Sequence, residues 1–293
     1  LSAHPLSQWA RLRRAELLLK RSEGAKSRGI EGAKGSAKGQ RKRDAKRDAE
    51  SAAMEANLLR EGWPGAWRAR KLRALALLKL GRDEEAVALL RRLVQQSSPK
   101  WSAASVAMPL ADYLAGSKDV AERKEALRLY RRVSSRAPLS SAGRDAEAKA
   151  KRVLARLPAK ARKSMAVTPL QEQFARGKAL MRARRHKDAE ALFAGLAKKA
   201  KKDAAARCRA QLQQGRALLL RRERRTGARL LAKTANKCPT KDKRAWARYY
   251  AGRAYLRTGE HRKGIAQYER LQAEAPHHRL ADDAAYKAAL CAM

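Results

Sequence analysis

Few residues in this chain have both the type and the spacing to do chemistry. Cys208 and Cys238 would fall at the start of one helix and the end of its antiparallel partner, ends that a helical hairpin brings together. Two readings of that pair stay open: a disulfide, which would agree with an oxidising compartment, and two free, partly buried thiols. Cys291 has no such counterpart. The five histidines are His4, His186, His261, His277 and His278. The adjacent His277 and His278 leave a turn in different directions, and no Cys or carboxylate cluster of metal spacing joins them, so no metal site is expected. No Ser–His–Asp set, phosphate-binding loop or dinucleotide fingerprint occurs. The expectation is binding rather than catalysis, with no cofactor.

The elements that would present a binding surface are legible as a repeat. Leu170 to Asp203, Cys208 to Lys241 and Ala245 to His278 superpose on one 34-residue template. Its eighth place is Gly (Gly177, Gly215, Gly252), its twentieth is small (Ala189, Gly227, Gly264) and its twenty-fourth is bulky and apolar (Phe193, Leu231, Tyr268). Pro276 at the thirty-second place ends a second helix because it lacks a backbone N–H. Small residues at the eighth and twentieth places let the two helices of a hairpin approach closely, and the twenty-fourth fills the remaining gap. This is the pattern of tetratricopeptide-like helical hairpins, which must stack on neighbours to bury their apolar faces. The fold class predicted is all-α, a tetratricopeptide-like α-solenoid: a right-handed superhelix of antiparallel helix pairs.

Composition agrees with an all-helical chain: in 293 residues, aromatics make up only 5%, while Ala, Leu and Arg dominate. Lys and Arg number 70 against 28 acidic residues, a net charge of +42. That excess attracts polyanions, but the basic residues are spread over nearly every helix, opposite the Leu and Ala stripe, as a solvated face would be. Charge is the only argument for a nucleic-acid partner, since no zinc-ligand spacing, aromatic RNA-binding motif or basic zipper accompanies it. No apolar run reaches the roughly 20 residues that a membrane-spanning helix needs.

Four regions are expected along the chain. Residues 1–20 hold an N-terminal helix. Residues 21–50, rich in Gly, Lys, Ser and Arg, read as a flexible basic linker or insertion with too little apolar surface to offset ordering. Residues 51–160 form an N-terminal helical-repeat region, in which Trp63 and Trp67 flank a break at Gly62 and Pro64 and serve to wedge helices together. Residues 161–293 hold the regular repeats. Leu1 in place of an initiator Met, and an end inside a helical pattern at Met293, read as a piece of a longer polypeptide.

The last module runs Trp246-Ala-Arg-Tyr-Tyr-Ala-Gly-Arg-Ala-Tyr-Leu-Arg-Thr-Gly-Glu, then Tyr268-Glu-Arg-Leu and Ala275-Pro-His-His-Arg-Leu-Ala-Asp-Asp-Ala-Ala-Tyr286. With Gly62-Trp-Pro-Gly-Ala-Trp, Ser105-Val-Ala-Met-Pro-Leu-Ala-Asp-Tyr-Leu and Leu129-Tyr-Arg-Arg-Val, it resembles the helical N-terminal region of soluble lytic murein transglycosylases. The resemblance covers most of the chain from about residue 51. It implies a periplasmic protein whose concave face holds a peptidoglycan strand, with a lysozyme-like domain following in the parent chain. The family's catalytic Glu-Ser has no counterpart: the only such pair, Glu50-Ser51, lacks a Gly-Leu-Met-Gln stretch after it. No catalytic residue is carried over. The competing expectation is a general tetratricopeptide scaffold that binds a protein partner or an acidic polymer; a third is a basic nucleic-acid binder.

Overall fold

The computed structural model describes residues 5–27, 35–59, 65–96 and 103–292, and every regular element among them is an α-helix. The chain packs as two compact units, Leu1–Tyr130 with Arg152–Pro158, and Arg131–Lys151 with Ala159–Met293. The first contains α1 (Pro5–Ser27), α2 (Gly35–Asn57), α3 (Ala66–Leu80), α4 (Asp83–Gln96) and α5 (Ala103–Ala115). Two helices, α6 (Val120–Arg136) and α7 (Ser141–Arg156), are divided between the units. The second unit continues with α8 (Ala159–Met165), α9 (Leu170–Arg182), α10 (His186–Lys199), α11 (Ala204–Leu220), α12 (Arg224–Lys237), α13 (Lys241–Leu256), α14 (His261–Glu274) and α15 (Ala281–Ala292). The division thus falls inside α6 and α7, whereas the expected repeat regions meet at residue 160.

Four hairpins turn by the same device. At the turns after α3, α9, α11 and α13, Gly81, Arg184, Arg222 and Gly259 adopt φ of +76°, +59°, +68° and +76°. The next residue's N–H then reaches back to the helix: Arg82 to the Leu77 carbonyl, Arg185 to Leu180, Glu223 to Leu218 and Glu260 to Tyr255, at 2.9–3.0 Å. These bonds satisfy carbonyls that the ending helix leaves open. An L side chain in this left-handed conformation costs about 1–2 kcal/mol, a cost that Gly81 and Gly259 avoid and the two arginines bear.

Within the second unit, each hairpin closes over its glycine. A Cβ on Gly177 would lie 2.3 Å from Phe193 Cζ, one on Gly215 2.5 Å from Leu231 Cγ, and one on Gly252 2.9 Å from the Tyr268 ring. The eighth-place glycine is therefore a seat for the twenty-fourth-place side chain. The twentieth place meets a different neighbour: a Cβ on Gly227 would strike Leu219, and one on Gly264 would strike Leu256, each also 3.2 Å from the carbonyl oxygen of the facing glycine. Phe193, Leu231, Tyr268 and Ala189 are fully buried. Pro276 lies in the turn beyond α14.

The expected linker over residues 21–50 is corrected. Residues 21–27 finish α1 and residues 35–50 form most of α2; residues 28–34 lie outside the described part. The apolar contribution of the stretch is small, Ala49 at 1% exposure, and it continues one face of α2 through Ala52 and Ala56. Ala52 and Ala56 of α2 pack with Leu12, Ala15 and Leu19 of α1 and with Ala69, Leu72 and Ala76 of α3. Arg14–Glu55 and Arg21–Asp48 ion pairs, at 3.3 and 3.8 Å, tie the flanks. Ala, Lys, Arg and Glu are also strong intrinsic helix formers. The N-terminal helix likewise extends past the expected residue 20. Of the two tryptophans expected to wedge helices, Trp67 is half-buried at the start of α3, while Trp63 lies outside the described residues.

Candidate functional site

Stacking of hairpins in the second unit brings their first helices together, and α11 packs directly on α13. The residue after a repeat glycine stands about 100° further round its helix than the buried glycine. In all three repeats that residue is a cation: Lys178, Arg216 and Arg253. Burial and the repulsion of Arg209, Arg216, Lys243 and Arg182, in that order, hold Lys178 below the ordinary lysine pKa. Every charge named there is positive. Lys178 and Arg209 are nonetheless well exposed to solvent.

Aromatic rings keep these guanidiniums in place without neutralising them. Arg209 lies 4.4 Å above the Phe174 ring centroid, Arg216 5.0 Å above Tyr250 and Arg279 4.7 Å above Trp246. Trp246 stacks on Tyr250 at 5.4 Å. Each cation over a ring gains about 0.5–2 kcal/mol and keeps its charge available. Beside this face, a cavity of about 310 Å³ is lined by Arg216, Arg224, Arg253 and Arg257 with Tyr250 and Leu220; no carboxylate lines it. A second cavity of about 440 Å³, toward α15, shares Arg253 and Arg257 and adds Tyr249 and Lys287.

The carboxylates of this region serve packing instead. Arg248, side chain 5% exposed, donates from both sides of its guanidinium to Glu274, Nε to Oε2 at 2.9 Å and Nη2 to Oε1 at 2.5 Å, binding α13 to α14. Hydrogen bonding from Arg248 holds the Glu274 pKa below the usual range. Tyr249 donates its hydroxyl to Asp283, which also pairs with Lys287, so α13 is fastened to α15. Burial, then the adjacent Asp283 carboxylate, pushes the Tyr249 phenol up. Asp242 accepts from Lys243 at 2.6 Å and lies 3.2 Å from His278 Nε2.

Cys208 at the start of α11 and Cys238 at the end of α12 form a disulfide, Cα atoms 5.2 Å apart, with both residues buried. His186 and His261 begin α10 and α14. Glu50 is exposed on α2. The side chain of Cys291 lies outside the described part. No residue of the cationic face is among those that the sequence alone singles out. Its signal was present as the cation that follows each repeat glycine; the expected concave face could not be assigned residues without the stacking.

These features define the class of protein: an all-α chain of repeated antiparallel hairpins with tetratricopeptide-like internal packing. No family model matches the chain, and no curated protein matches it. Among solved structures it is similar to the C-terminal part of a TPR repeat-containing protein from Cytophaga hutchinsonii, at 13% identity and TM-score 0.36, over 93% of this chain and 98% of that one. It is also similar to the TPR2AB domain of yeast Sti1 solved with pHSP90, at 16% and 0.35, over 94% and 98%. A third is the TPR domain of P58(IPK), at 17% and 0.36, over 97% and 79%. At these TM-scores the fold assignment rests on the packing described above. Among the described residues, no helix is long and apolar enough to cross a membrane.

Proposed function

We propose that this chain is a binding scaffold whose α9, α11 and α13 face holds an acidic, extended segment of a protein partner. One observation carries the reading: Lys178, Arg209 and Arg216 share a face on which the charges acting on Lys178 are all positive. Cations held together repel one another, and an anion laid among them relieves that repulsion as well as pairing with each. A bound carboxylate therefore favours the protonated lysine, and its guanidinium partners are already oriented by Phe174 and Tyr250.

The test is fluorescence anisotropy with a labelled 12-residue Glu-rich peptide beside a neutral peptide of equal length. The acidic peptide binds, more weakly as salt rises. Lys178→Gln with Arg209→Gln weakens it by about tenfold, the loss of one to two charge-assisted contacts. No binding of the acidic peptide, or equal binding by the double variant, removes the reading.

The buried Cys208–Cys238 disulfide favours a second reading. Disulfides persist in oxidising compartments, the periplasm among them. The superhelical part of a soluble lytic transglycosylase works there, and the carboxylates of peptidoglycan stem peptides would suit the same cations. Co-sedimentation with isolated cell-wall sacculi, lost when the stem carboxylates are amidated, supports this. Binding to single-stranded or duplex nucleic acid with a steep salt dependence would favour the nucleic-acid reading over both.

A further inference from the structure

We infer that the cavity between α11, α12 and α13 receives a phosphate monoester carried on the bound peptide segment; the inference rests on the acidic-segment reading above. Arg216 from α11, Arg224 from the first turn of α12, and Arg253 and Arg257 from α13 line one space of about 310 Å³. Arg224, Arg253 and Arg257 take part in none of the ion pairs among the described residues. Arg216 is held by Gln213 Oε1 at 3.2 Å and by the Tyr250 ring, both uncharged. Four arginines line one space that no carboxylate lines, a concentration of cationic donors with capacity for an anion.

The number and type of donors choose between anions. A carboxylate offers two oxygens and one charge, which a single guanidinium fork already satisfies. A phosphate monoester offers three terminal oxygens and a charge of about −1.5 to −2, enough to engage several forks at once. All four cations are arginines, whose planar donors match phosphate oxygens in pairs. The rest of the wall, Tyr250 with Leu219, Leu220 and Ala254, suits the apolar stem that carries the ester.

The experiment uses the full chain and three labelled versions of the same acidic 12-residue peptide, with Ser, Glu or phosphoserine at the centre. The phosphoserine form binds at least about tenfold more tightly than the Ser form, from one or more added charge-assisted bonds. The Glu form gains less than the phosphoserine form. Arg224→Gln with Arg257→Gln brings the ratio of phosphoserine to Ser affinity close to one. Lys178→Gln lowers both forms and keeps the ratio. Far-UV circular dichroism confirms that each variant is folded. Equal binding of all three peptides overturns the phosphate assignment and leaves the acidic-segment reading standing. Absence of binding by all three removes both. A Glu form as tight as the phosphoserine form, or a 5′-phosphorylated oligonucleotide that competes better than the phosphopeptide, also overturns it.

Discussion

The α1–α2 pair and the hairpins of the second unit hold two helices in contact with different residues. Each α1–α2 helix is 23 residues long, joined by an alanine stripe against Leu12 and Leu19 and flanked by ion pairs. The second unit's hairpins use shorter helices, a glycine seated under a large side chain, and in one case a disulfide. Alanine permits contact along a whole face, so many registers cost little. Glycine under Phe193, Leu231 or Tyr268 admits one register, because a slip by one residue places a Cβ inside a ring or a branched side chain. Positions on the glycine-built hairpins are therefore set sharply enough to converge guanidiniums.

The largest expected effect comes from the staple that only the second unit has. Reducing Cys208–Cys238, or replacing both by Ser, releases a sequence separation of 30 residues and should lower stability by roughly 3–4 kcal/mol. A thermal melt by circular dichroism, with and without reductant, reads this directly. A melt that ignores reductant would erase one difference between the regions.

Next in size is the glycine seat itself. Gly177→Ala gains about 1 kcal/mol of helix propensity but pushes a methyl into the buried Phe193 ring, 2.3 Å away. Overpacking of this kind costs about 1–3 kcal/mol, so the net result is a lower melting temperature. A variant as stable as the parent would mean that register is not set by this contact.

Acid should affect the second unit through carboxylates held low by partners, three of them partly buried: Asp242 by Lys243, Glu274 by Arg248 and Asp283 by Lys287. A lowered folded pKa contributes stability that is complete above the unfolded value, ordinarily 4.5 for Glu and 3.8 for Asp. That stability is lost as pH falls through the lower folded values. Because these groups are largely solvated, each is expected to contribute on the order of 1 kcal/mol or less. Glu172, raised by burial, works in the opposite sense, since protonation relieves its desolvation. Urea midpoints measured between pH 7 and about pH 3 should fall, and Glu274→Gln should flatten the slope.

The smallest effect completes the contrast. Gly195 in α10 has nothing within 4 Å of its would-be Cβ, so Gly195→Ala should stabilise by about 0.5–1 kcal/mol. Opposite signs for Gly177→Ala and Gly195→Ala on neighbouring helices would separate a seat from mere helix content; equal signs would undo that distinction.

How much could be read before the structure depended on locality. Gly252 and Tyr268 lie within one hairpin, so their relation repeats at fixed spacing and is visible in the letters. The part of α2 over residues 35–50 was not, because an alanine such as Ala49 looks the same in a tether as in a close-packed face until it is seen to be buried. The short α8 was likewise hidden, its seven residues holding one buried alanine, Ala161, among basic ones. For the candidate site, Lys178, Arg216 and Arg253 follow the repeat glycines and recur in the sequence. Arg257 shares its template place with Arg182 but not with Leu220, and Arg224 stands where the other repeats have His186 and His261, so neither arginine recurs in all three repeats.

By itself, then, the sequence determined the helical hairpin and its crossing, because glycine and a bulky partner sixteen residues later can meet only if two helices fold back on each other. It also determined a large positive charge. Where that charge gathers around a cavity that no carboxylate lines was decided by tertiary structure, through stacking of α11, α12 and α13 and through the engagement of Glu274 and Asp283 in packing contacts. Electrostatic convergence is a property of distances across elements, and those distances exist only once the hairpins have stacked.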